Sequence, residues 1–191
     1  MRILFFSKGF TPHEHRFLEK MAGWDHEISF LMLDEIEGFD PERLLPSGVT
    51  FEGSLGSHGG VLSPNERIRL VPQFEEVCDR LKPDLIHAGP IQSCGFISAL
   101  AGFHPLLLMS WGSDMLRDAD TDDFGRWVTW YTLSASDWLL CDCEAVRNRV
   151  KEFTHYDDSR IVLFPWGVDI LKFQPSSVTS PIREELGWEG C

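Results

Sequence analysis

Unbroken apolar runs alternate along the chain with longer stretches in which apolar positions recur three and four apart. These are the patterns of buried strands and amphipathic helices. The clearest unit runs from Lys82 to Asp114. Leu85 and Ile86 lie between the turn signals Lys82-Pro83-Asp84 and Gly89-Pro90, which predicts a short buried strand. Ile91, Cys94, Ile97 and Ala101 follow at helical spacing, and Gly102 ends the run. After Pro105, Leu106-Leu107-Leu108-Met109 predicts a central parallel strand that closes a βαβ unit at Ser110-Trp111-Gly112-Ser113-Asp114. Ligands of open α/β sheets bind beyond the carboxyl ends of the strands, and His87 and Trp111 to Asp114 stand at two such ends.

The same alternation covers the rest of the chain. Ile3 to Phe6 predicts the first strand, Ser7-Lys8-Gly9-Phe10 a turn, and Thr11-Pro12-His13-Glu14 a capping box with proline at the first helical position. Phe17, Leu18, Met21 and Ala22 face inward from that helix. Ile28 to Leu33 predicts a second strand, Asp34 to Pro46 an exposed acidic loop, and Val49 to Phe51 a third strand. The glycine-rich stretch from Gly53 to Gly60 predicts mobility. Ser63-Pro64-Asn65-Glu66 is a second capping box, and Pro72 implies a kink or a restart in the helix it opens. Val71, Phe74, Cys78 and Leu81 mark its buried side. Phe124, Trp127, Val128, Tyr131 and Ala135 form a further helical stripe, followed by a strand at Trp138 to Cys141 and a helix capped by Asp142. That helix buries Cys143, Val146, Val150 and Phe153. Ile161 to Phe164 predicts the last strand. The expected fold is α/β: a Rossmann-like, doubly wound, mainly parallel sheet with helices on both faces over residues 1–173. Residues 174–191 read as a linker with one short helix, and the chain looks cut at a domain boundary.

Composition narrows the partners. A formal charge of -13 argues against a nucleic-acid backbone or an anionic lipid surface. No apolar run is long enough to span a bilayer, and Ile3 to Phe6 is too short for a signal-peptide core. Five scattered cysteines read as reduced thiols, which places the chain in the cytoplasm.

Four places along the chain resemble one family, the family 4 glycosyltransferases of GT-B fold, in their N-terminal, acceptor-side domain. Asp84-Leu85-Ile86-His87-Ala88 is similar to that family's "PD-V-H-A-H" strand end, and Met109 to Asp114 to its "HG-D" or "WGSD" strand end. Ser136-Asp137 to Glu144 resembles a strand and turn before a helix. Arg160 to Phe173 resembles the "P-N-G-V-D…F" crossing towards a second domain. The departures are Gly89 for a second histidine, Trp111 for histidine, Trp166 for asparagine, and Lys8-Gly9 for a double glycine. The resemblance implies a retaining transferase that moves a sugar from a nucleotide-sugar donor to a sugar or lipid-linked acceptor hydroxyl, as in polysaccharide or glycoconjugate assembly. It implies no cofactor beyond the donor as co-substrate, which a C-terminal domain in cis mainly binds. The fragment alone is then inactive, with apolar surface exposed where that domain packs and a dimer through that surface as one outcome. Two other readings stay open: half of a GT-B sugar-nucleotide epimerase, and a non-catalytic flavodoxin-like binding or regulatory module.

Within this frame the candidate residues take roles. Lys8 and Gly9 lie before a helix N-terminus, where unpaired N–H groups favour an anion, and the resemblance places phosphate or acceptor groups there. Lys8 either neutralises a phosphate or is simply solvated. His87 either bonds an acceptor hydroxyl or is a satisfied structural histidine. Trp111 offers a sugar an apolar face with an N–H, Gly112 clears space, and Ser113 and Asp114 bond hydroxyls. Asp114 has the alternative role of helix cap. A retaining enzyme of this type uses the donor's leaving phosphate to take the acceptor proton, so no protein base is required. The resemblance also keeps His13 and Arg16 as acceptor contacts. No metal site is expected: His13 and His15 do not share a helix face, Cys141 and Cys143 lack a second ligand pair, and Asp118 to Asp123 fails the calcium-loop spacing. That acidic run reads as a solvated loop holding a helix cap. Trp127, Trp130, Tyr131 and Trp138 read mainly as core, with Trp130 off the stripe and facing the cleft or a second domain.

Overall fold

Alternation within the first strand, β1 (Arg2–Ser7), divides the molecule. Ile3 and Phe5 are buried on one face of the sheet and Leu4 and Phe6 on the other. The computed structural model describes residues 1–56, 62–168, 170–171, 173–174 and 181–188. After β1 come α1 (Pro12–Ala22), β2 (Glu27–Met32), α2 (Pro41–Leu44), β3 (Val49–Ser54), α3 (Pro64–Arg69), α4 (Val71–Leu81) and β4 (Leu85–Gly89). A wide π-type turn, Ile91–Gly95, leads into α5 (Phe96–Leu100) and β5 (Leu106–Met109). The remainder is α6 (Ser113–Leu116), α7 (Asp123–Ala135), β6 (Trp138–Cys141), α8 (Glu144–Thr154), β7 (Ile161–Leu163) and α9 (Pro181–Glu185). The last of these falls in the expected linker. Part of the glycine-rich stretch and residues 175–180 lie outside the described residues.

All pairings are parallel, in the order β3-β2-β1-β4-β5-β6-β7. The expected Rossmann-like sheet is thus present, and its winding reverses between β1 and β4, which creates a crevice at their carboxyl ends. On one face α4, α5, α7 and α8 cover the sheet with Phe74, Ile97, Leu133, Val146 and Val150. On the other, Leu18 and Met21 of α1 pack on Phe5 and Phe30. Each fully buried phenylalanine contributes about 1.5–3 kcal/mol relative to exposure. Pro72 sits in the first turn of α4, so the helix restarts there.

Three expectations change. The stripe on α7 is rotated: its buried residues are Val128, Thr129, Thr132 and Leu133, while Phe124 and Trp127 are exposed. Thr129 and Thr132 fit inside because their hydroxyls donate to the carbonyls of Gly125 (2.9 Å) and Val128 (2.8 Å), one turn back. Trp138 is 46% exposed, since α1 covers only the β1–β2–β4 part of its face. Val162, paired with Leu140 on that same side, is exposed with it. Finally, Cys143 and not Asp142 is the N-cap of α8, with no side-chain cap bond.

Close strand packing at the crevice leaves no room for a side chain at position 89. A Cβ there would meet the Met109 carbonyl oxygen at 2.4 Å and the Trp111 indole nitrogen at 3.0 Å. Gly89→Ala is expected to destabilise the fold by about 2 kcal/mol or more in urea unfolding, with little change in m value. A midpoint equal to that of the parent would contradict this packing.

Candidate functional site

Between β1 and α1, the expected anion-binding turn has its own carboxylate. Glu14 is 2% exposed and accepts hydrogen bonds from Ser7 Oγ (2.6 Å), the Thr11 N–H (2.8 Å) and the Thr11 hydroxyl. The capping box is present as the sequence indicates, and its acid lies against the positive end of the helix. A phosphate at Lys8 and Gly9 would therefore meet a negative group. Lys8 itself points to Asp34, 3.9 Å away, and is half exposed. The carboxylate of Glu14 thus occupies the N-terminal end of the helix that follows Lys8 and Gly9.

Asp114 is held within the fold. It is 3% exposed, and its oxygens accept from Ser110 Oγ (2.6 Å), the Trp111 N–H (3.1 Å) and the Ile91 N–H (3.2 Å). Burial raises its pKa, opposed by those donors and the Met115 N–H. The side chain ties the end of β5 to the turn after β4 and has no oxygen left to face a sugar. Gln92 completes the junction by donating to the Asp114 carbonyl (2.7 Å) and to Thr129 Oγ1 (3.0 Å), while Arg67 donates to the Gln92 carbonyl (2.6 Å). Ser113 is exposed, and Gly112 takes a positive φ of 81° that turns the chain into α6.

His87 lies inside β4, paired with Phe5 and Leu107, and not at the strand's end. It is 6% exposed and packs edge-on against Phe5 (5.0 Å between ring centroids) and Phe17 (6.1 Å). Burial lowers its pKa to about 4, so the ring is neutral at physiological pH. Its Nε2 has no hydrogen-bond partner among the described residues.

The structure does bring His13, Arg16 and Trp111 together. The His13 ring meets Trp111 at 5.8 Å and Trp166 at 4.7 Å, and the two indoles are 5.7 Å apart. Arg16 donates to His13 Nδ1 (2.9 Å) and to the Gly167 carbonyl. The first bond leaves the neutral imidazole's proton on Nε2. The segment leaving β7 is thereby laid across the sheet edge, with Phe164 and Trp166 against Phe17. A small crevice beneath it is lined by Phe17, Ser110, Asp142 and Trp166. Among the described residues the Trp111 Nε1–H and Asp142 Oδ1 are buried without partners, and the Asp142 carboxylate stands over Gly112, 3.8 Å from where a Cβ would be.

Sequence reasoning took Asp142 for a cap, noted Trp166 only as a departure, and did not single out Phe17 or Glu14 as parts of the site. A signal existed for Asp142: it directly follows a central strand, at the edge where polar residues meet ligands.

A family model described as glycosyl transferase 4-like matches residues 2–142. The chain belongs to that family. Among solved structures, Anabaena HepE in complex with UDP and glucose superposes with a TM-score of 0.67 at 17% identity, over 98% of this chain and 50% of that one. Sucrose-phosphate synthase from Thermosynechococcus elongatus gives 0.67 at 13%, over 97% and 52%. UDP-GlcNAc 2-epimerase from Methanocaldococcus jannaschii gives 0.57 at 14%, over 85% and 45%. The chain thus spans about half the length of the structures it matches, with the fold of a GT-B half-domain. No curated protein is significantly similar in sequence. Among the described residues no helix is long and apolar enough to cross a membrane, and no cluster of His, Cys, Asp or Glu is able to hold a metal ion.

The buried His87 makes stability sensitive to acid. Its folded pKa of about 4 lies below the ordinary 6.5, so the unfolded chain binds the proton first and stability falls as pH drops through that window. His87→Leu is expected to flatten the decline in thermal midpoint between those two pH values relative to the parent. An unchanged slope would show that His87 is not the group responsible.

Proposed function

We propose that this chain is the acceptor-side half of a retaining glycosyltransferase, which moves a sugar from a nucleotide-sugar to an acceptor hydroxyl in polysaccharide or glycoconjugate assembly. The observation that carries the reading is the pair of unpartnered groups at the aromatic edge, an acceptor on Asp142 and a donor on Trp111, beside the His13 and Trp166 rings. Buried polar atoms without partners are costly, and a ligand hydroxyl that reaches either atom satisfies it. In the reaction the bond from the anomeric carbon to the donor phosphate breaks, the acceptor oxygen bonds that carbon, and its proton passes to the departing phosphate. Asp142 and Trp111 orient the acceptor. Asp114, Gly112 and Ser110 position Trp111, and Arg16 fixes His13.

Glu14 in the first turn of α1 disfavours donor phosphates on this lobe, which supports their binding by a second domain in cis. The uncovered apolar strip at Trp138 and Val162 is consistent with a covering body, either that domain or a second copy. Epimerisation of a nucleotide-sugar moves protons through carboxylates and a histidine at strand ends. Here Asp114 is saturated with hydrogen bonds and His87 is buried and neutral, which favours transfer.

Calorimetry of this chain with UDP-glucose is expected to show no binding, and micromolar affinity would overturn the half-enzyme reading. In an enzyme carrying both halves, Asp142→Asn is expected to raise the acceptor KM about tenfold while leaving the donor KM unchanged. Equal effects on both substrates would remove Asp142 from the acceptor site.

A further inference from the structure

A second concave surface lies on the helical layer. It is a groove of about 350 Å³ between α7 and α8 and shares no residue with the sheet-edge site. Its wall on α7 carries Trp127 and Trp130, with Phe124 one turn before, and all three are largely solvent-facing. Indoles grouped on an exposed helix face are uncommon unless something covers them. Trp127 is held rigidly, stacked on Tyr131 (5.4 Å) and edge-on to Phe96 (6.0 Å). Trp130 is 49% exposed and has no ring partner among the described residues.

The polar side of the groove is equally fixed. Asp120 accepts from Arg126 (3.4 Å) and Arg149 (2.7 Å), and the Arg149 guanidinium lies over the Phe153 ring at 5.4 Å. Asp120 and its two arginines sit beside the acids Asp123 and Glu152, so the lining holds three carboxylates against two guanidiniums and carries little net charge. Planar carboxylate and guanidinium groups beside flat indole surface match a pyranose, whose C–H face is apolar and whose rim is all hydroxyl. Five charged residues line the groove, whereas the buried cores of protein interfaces are depleted in charge. The overall charge of -13 disfavours anionic polymers and anionic lipid. The volume is at the lower end of ligand pockets, room for roughly one or two sugar rings.

We propose that this groove is a carbohydrate-binding site for neutral oligosaccharide, separate from the sheet-edge site. Trp127 and Trp130 stack on the sugar, and Asp120, held by its two arginines, bonds the hydroxyls.

The test is titration of the isotopically labelled chain with maltohexaose and cellohexaose, following the indole N–H resonances. Saturable shifts confined to Trp127 and Trp130 are expected with at least one of these glucans. Trp130→Ala is expected to weaken binding about tenfold without lowering the thermal midpoint, and Asp120→Asn to weaken it as well. Asp142→Asn at the sheet edge is expected to leave this binding unchanged. Absence of saturable shifts with either glucan would overturn the proposal, as would loss of binding in Asp142→Asn. Shifts of the same indoles on self-association or with neutral phospholipid vesicles, without a response to glucan, would overturn it too.

Discussion

A single buried carboxylate holds the working edge of this lobe together. Asp114 collects the backbone N–H of Trp111, the backbone N–H of Ile91 and the hydroxyl of Ser110, groups from the ends of two neighbouring parallel strands. Parallel strands cannot be joined by a tight turn, so their carboxyl ends leave loops whose polar groups need partners. Asp114 supplies acceptors for several at once. Everything above it depends on that junction: the position of Trp111 over Gly89, the sharp course of Gly112, and the wide turn that Gln92 and Arg67 hold from the other side.

The electrostatics of the lobe follow a similar economy. A helix beginning at a crevice usually offers its N–H groups to an anion, but here Glu14 takes that place from within the chain. The edge that remains for ligands is then built from rings and a few uncharged or singly charged contacts. Donor phosphates and acceptor hydroxyls call for different chemistry, and the proposed acceptor role rests on this edge's rings and uncharged donors.

Much of the fold was legible from local pattern. The β1 run, the βαβ unit around Leu106 to Met109 and the restart at Pro72 each depend on residues close in sequence, and each formed where the pattern placed it. The site was legible only in part. His13, Arg16 and Trp111 do meet, but the reach of Asp114 to Ile91 and of Asp142 to Gly112 depends on strands side by side in space and distant in the chain. The threonines of α7 misled for a different reason. A hydroxyl that bonds back to its own helix behaves as a small apolar group, so Thr129 and Thr132 displaced the aromatic residues from the interior. Trp138 was misread because a strand's pattern cannot tell which stretch of its sheet a helix will cover.

The passage from Phe164 to Gly167 is at once a wall of the ligand crevice and the route by which the backbone departs from its final strand. Trp166 is wedged against His13 and Trp111, while Gly167 is tethered by Arg16. Whatever shifts those rings therefore also pulls on the outgoing backbone, because Trp166 and Gly167 belong to both.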